Sequence, residues 1–298
     1  MRRITKLASV TFIVLMAVPV SAFAIPKDVP DSLPVAFDTP SLPSVGSIAV
    51  APDGTMYIAG NFGSINGVPR NGLAAISPKG EVLPWNPNPN KWVNFVQLHG
   101  STIYVGGGFT EIGGQTRNYI AALDTNGKAT DWNPNANNTV GSLVVKDSLF
   151  YITGRFTRVG GQERIALAAI DANGKVTNWN PPAPDGYVNT MAIHGNTIYI
   201  GGKFTRVGAQ NRTNVAAFDE GGNLTSWSPI VDNAPTMGVN DMIVHNSIVY
   251  IAGDFGRAGG LARRSLAAID ANGNVTNWDP QLSEFAPVHA LVAQDSTI

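Results

Sequence analysis

The chain has 298 residues, of which 44% are hydrophobic, 32 are glycine and 20 proline, with no cysteine and a net charge of −1. Such a length and apolar fraction can bury a sizeable core, and the missing cysteines exclude a disulfide scaffold. The near-neutral balance, without a basic run, excludes a nucleic-acid partner held through its phosphates.

MRRITK carries Arg2, Arg3 and Lys6, and the apolar run LASVTFIVLMAVPV (7–20) and SAFA follow. The order reads as a secretory signal peptide over 1–24, with cleavage expected after Ala24 because Ala22 and Ala24 are small. At 14 residues the run falls short of the roughly 20 that span a bilayer. Its removal leaves 17 basic against 21 acidic side chains, a net charge of −4 on the exported chain. Residues 25–34 read as a linker. VAFDTPSLPSV (35–45) resembles the end of a later unit, with Phe37 standing where Trp85 stands there.

One phrase then recurs: YIAGNFGSING from Tyr57, YVGGGFTEIGG from Tyr104, YITGRFTRVGG from Tyr151, YIGGKFTRVGA from Tyr199 and YIAGDFGRAGG from Tyr250. The second copy fails as a dinucleotide fingerprint, because after Gly106 and Gly108 the third glycine position holds Glu111. A phosphate site is needed once, whereas these glycines recur, so they belong to the architecture. Other landmarks keep the period: Arg70, Arg117, Arg164, Arg212 and Arg263; then Trp85, Trp132, Trp179, Trp227 and Trp278, each with proline two residues on.

Each unit holds four short apolar or alternating runs, as in VGSLVV (140–145), LFYITGR (149–155), ALAAID (166–171) and KVTNWN (175–180). Asn and Gly in the DANG connection favour a hairpin turn. Four strands in about 47 residues match one blade of a β-propeller. The fold class is therefore all-β, with five complete repeats at about 44–92, 93–139, 140–187, 188–238 and 239–287, and a partial one at 288–298. Residues 35–40 are expected to form the outermost strand of that closing blade. VHALVAQDSTI (288–298) matches VNFVQLHGSTI (93–103) and stops before the tyrosine, so the chain reads as a fragment lacking at least about 30 residues of that blade.

PDGTMYIAGNFGSINGVPRNGLAAISPKGEV with its W-N-P-N ending resembles the delta-60 repeat propellers of secreted and surface-attached bacterial proteins. The resemblance covers about residues 35–298 and implies a propeller in an extracellular setting. It carries over no catalytic residue, substrate or cofactor. This chain differs in its W-N-P endings, where Phe is the more usual residue.

The recurring Arg is expected to tie loop carbonyls with its fork, and the recurring Trp to pack against its own or the next sheet. Function is sought where the units differ, on the face shared by the loops between second and third strands and between units. Trp92 and Tyr187 are such exceptions, their equivalents being Thr139, Gly238 and Pro287. Both are candidates for stacking on a sugar ring or for packing over a neighbouring blade. His99, His194 and His245 share a turn on the opposite face, and His289 stands alone in a first strand. Asp171, Asn173 and Gly174 lack the third oxygen ligand and terminal Glu of a calcium loop. Asp185, Asp232, Asp241 and Glu284 are the unique acids from which a hydrolytic pair would have to come. No catalytic set, metal site or cofactor is expected. The sequence points to a secreted, monomeric binding or scaffold module for a polysaccharide or surface protein. The alternatives are an extracellular glycosidase or lyase acting at the channel mouth, and a passive spacer.

Overall fold

The computed structural model describes residues 44–232, 234, 238–282, 286–293 and 298. The expected leader with Ala24, the expected linker, the expected 35–40 strand with Phe37, and Glu284 lie outside the described residues.

The described chain is all β and forms a propeller. Five antiparallel sheets share one order, with the second strand between the first and the third. Their strands are Ser44–Val50, Met56–Asn61 and Leu73–Ile76; Val93–His99, Thr102–Gly107 and Ile120–Leu123; Val140–Lys146, Leu149–Gly154 and Leu167–Ile170; Tyr187–His194, Thr197–Lys203 and Val215–Asp219; Val239–His245, Ile248–Gly253 and Leu266–Ile269. First strands of successive sheets are neighbours, so they form the inner ring. Cores lie between adjacent sheets: in IAAL (120–123), Ala121 and Leu123 pack towards the first sheet while Ile120 and Ala122 pack towards the third. Burial on both faces explains why these third strands read as continuous apolar runs.

The fourth run contributes one bridge and no full strand, as Leu123 pairs with Ala129 and Ile170 with Val176. The pairing ends because a threonine hydroxyl caps the next tryptophan: Thr130, Thr177, Thr225 and Thr276 each accept the backbone N–H of the Trp two residues on, at 3.2–3.3 Å. The ring then stands edge-on to the tyrosine of its own unit, as Trp132 does to Tyr104 with centroids 5.1 Å apart. Its indole N–H crosses to the next sheet, from Trp132 to the Asp171 carbonyl at 3.1 Å and from Trp227 to that of Asp270 at 3.0 Å. Asp171 heads the DANG turn and accepts the N–H groups of Asn173 and Lys175. Gly174 closes that turn at φ +80°, and a Cβ there would lie 3.0 Å from the Asn133 nitrogen and 3.4 Å from the Trp132 ring. Turn and tryptophan thus form one contact between units.

The recurring arginines tie the loop before the third strand to the fourth run of the same unit. Arg164 donates to the carbonyls of Glu163 at 2.7 Å and Thr177 at 2.7 Å. Arg70, Arg117, Arg212 and Arg263 make the same pair of bonds, to the residue before and to the residue thirteen later. The connection between second and third strands contains a further small hairpin, Arg158–Val159 with Gln162–Glu163, where the sequence predicts only a loop. The loop closes through a residue of positive φ just before the third strand: Gly72, Tyr119, Ala166, Asn214 and Ser265, at 61–66°.

Candidate functional site

The recurring Tyr-x-x-Gly acquires its reason in the inner ring. The pairing of first and second strands slips by one residue in every sheet, between Val45 and Ser47, Val93 and Phe95, Val140 and Ser142, Val188 and Thr190, and Val239 and Asp241. A bulge brings its strand close to the partner. A Cβ on Gly202 would fall 2.0 Å from the Tyr187 carbonyl oxygen, and one on Gly154 2.2 Å from that of Thr139. Only glycine fits opposite the bulge.

The residue extruded by each bulge is Gly46, Asn94, Gly141, Asn189 or Asn240, and His289 follows Val288 in the same way. Each asparagine donates its amide to the valine carbonyl of the next unit: Asn94 to Val140 at 3.0 Å, Asn189 to Val239 at 3.0 Å and Asn240 to Val288 at 3.1 Å. The amides are thus held in one orientation around the axis. They line a cavity of about 350 Å³ with Thr139, Arg155, Tyr187 and His289. That volume lies at the lower end of the roughly 300–1,000 Å³ typical of ligand sites.

At the mouth, the Arg155 guanidinium lies over the Tyr187 ring, 4.5 Å from its centroid, and joins the third sheet to the fourth. Tyr187 remains 54% exposed. Trp92, 44% exposed, lies elsewhere. Its indole covers Gly108, within 2.5 Å of where a Cβ would stand. The structure therefore brings Tyr187 and His289 together in one lining and leaves Trp92 outside it. Sequence reasoning misses Arg155 and the asparagines, although both positions vary among the units: Asn61, Gly108, Arg155, Lys203 and Asp254 precede the recurring Phe.

The described candidate acids, Asp185, Asp232 and Asp241, are not in that lining. Asp185 binds the loop hairpin of the following unit, accepting the backbone N–H groups of Thr205 and Arg206 and the Thr205 hydroxyl. Burial raises its pKa, but these hydrogen bonds outweigh that and hold it below the ordinary value. Asp232 lies in the Val231–Asp232 strand paired with Arg257–Ala258. Asp241 is buried and accepts the N–H groups of Met242 and Leu291; burial pushes it up to about 6. His99 stands edge-on to Phe150, His194 faces the Ser247 hydroxyl and His245 the Asn246 amide. Among the described residues no three His, Cys, Asp or Glu side chains could hold a metal together. No helix among them is long and apolar enough to cross a membrane.

Residues 51–80 and 102–129 match a beta-propeller domain of unknown function (DUF5122). No curated protein matches the chain. Among solved structures, a catalytically inactive virginiamycin B lyase from Staphylococcus aureus with quinupristin is similar at TM-score 0.57 and 12% identity, over 86% of this chain and 76% of that one. The computationally designed Ika8 protein is similar at TM-score 0.52 and 11% identity, over 85% and 66%. At these identities the likeness concerns the fold alone, a β-propeller.

Proposed function

We propose that the chain is an exported binding module whose ligand enters the axial cavity, and that a polysaccharide suits that cavity best. One observation carries the reading: an exposed aromatic ring and three oriented amides share one lining with His289, Thr139 and Arg155, and among the described residues no carboxylate joins them. An aromatic face accepts the C–H side of a sugar, while amides answer its hydroxyls. A lyase reading draws on His289 as a base in the cavity and on the similarity to virginiamycin B lyase. Hydrolysis by two carboxylates finds no pair among the described residues of this lining.

The test is a screen of soluble glycans and polymers against the full chain and its Tyr187→Ala variant. Saturable binding that weakens in Tyr187→Ala is expected. Binding that is untouched by the substitution, or no binding by the folded chain, would remove the cavity from consideration.

A further inference from the structure

We infer that the cavity mouth is a subsite for a carboxylated polysaccharide, a polyuronate, with its carboxylate on Arg155; this rests on the cavity being the binding site. Among the described residues the lining carries one charged side chain, Arg155, and no acidic one, although the chain as a whole has a net charge of −1. A cavity of one sign attracts the opposite one.

The position of Arg155 separates it from its equivalents. Lys203 donates to the Ala234 carbonyl, and Asp254 accepts the Gly238 N–H at 2.6 Å, so both serve backbone. Gly108 has no side chain, and Trp92 occupies its space. Arg155 is exposed, and no carboxylate among the described residues forms an ion pair with it. Its guanidinium is held over Tyr187 instead. Stacking fixes the plane of a guanidinium while leaving its edge N–H groups able to grip a carboxylate through two parallel bonds. A uronate combines the features this mouth addresses: a carboxylate for Arg155, a C–H face for Tyr187, and hydroxyls for Asn189 and its neighbours.

The experiment is a calorimetric titration of the full chain with oligogalacturonate, with the same oligomer methyl-esterified, and with oligoglutamate. The free acid should bind at least about tenfold tighter than the ester, the scale of one charge-assisted contact. Arg155→Gln should bring that ratio to about one while the variant still unfolds cooperatively, and Arg155→Lys should retain part of it. Equal binding of acid and ester, still dependent on Tyr187, would overturn the carboxylate subsite and leave the cavity standing. Failure of both sugars to bind would remove the cavity reading as well. Oligoglutamate binding as tightly as the uronate would overturn the sugar specificity.

Discussion

Alanine at Gly202 tests whether the bulge dictates the recurring glycine. The added Cβ would lie 2.0 Å from the Tyr187 oxygen, and 2.9 Å from both the Tyr187 carbonyl carbon and the Val188 Cα. All three are backbone atoms, and carbon atoms meet oxygen at about 3.3 Å or more, so the strand must move by over about 1 Å. Overpacking that no rotamer can relieve costs about 3 kcal/mol here. Gly141 is the internal control, because its Cβ would meet only the Thr153 oxygen at 3.8 Å. Gly141→Ala should stay within about 0.5 kcal/mol of the parent. Urea unfolding followed by tryptophan fluorescence gives both midpoints. If Gly202→Ala unfolds at the same urea concentration as Gly141→Ala, the glycine is not dictated by the bulge.

Two other substitutions probe the frame. Ala166 sits at φ +62° where the first unit has Gly72, so Ala166→Gly should raise stability by about 0.5–1 kcal/mol in the same urea assay, and a loss would refute strain there. Asp241, at about 6 against an ordinary 3.8, favours its protonated form in the folded state. Its contribution is complete below pH 3.8 and is lost as pH rises through about 6, roughly 3 kcal/mol in all. Asp241→Ser copies Ser47, which accepts the Val96 N–H at the corresponding place. Relative to this variant, the parent should lose thermal stability between about pH 4 and pH 7; a pH-independent difference would refute the shift.

The repeat, its strands and its turns were legible because each structural demand recurs. A tyrosine, a crowded glycine and a fork of arginine appear five times in register. The small hairpin at Arg158–Glu163 was hidden because two-residue strands carry no alternation to read. The short fourth run was hidden too, since Val176 and Thr177 look like strand while the Thr177 hydroxyl already turns the chain at Trp179. At the candidate site, Tyr187 stood out as an aromatic among small residues. Asn94, Asn189 and Asn240 passed as ordinary alternation, since only the bulge turns them towards the axis. Arg155 escaped because its meaning depends on Tyr187, a neighbour on the next sheet that the sequence does not pair with it.

The most direct test of the cavity is a titration of the tightest glycan from the screen against three proteins. They are the parent chain, a Tyr187→Ala/Asn189→Gly double variant, and a Lys146→Ala variant at the opposite end of the strands. Glycine is already accommodated at the Asn189 position in two other units, as Gly46 and Gly141, so the fold should survive. The expected result is at least about a tenfold loss of affinity in the double variant and none in Lys146→Ala. Affinity that persists in the double variant and falls in Lys146→Ala would place the ligand on the other face and contradict the account.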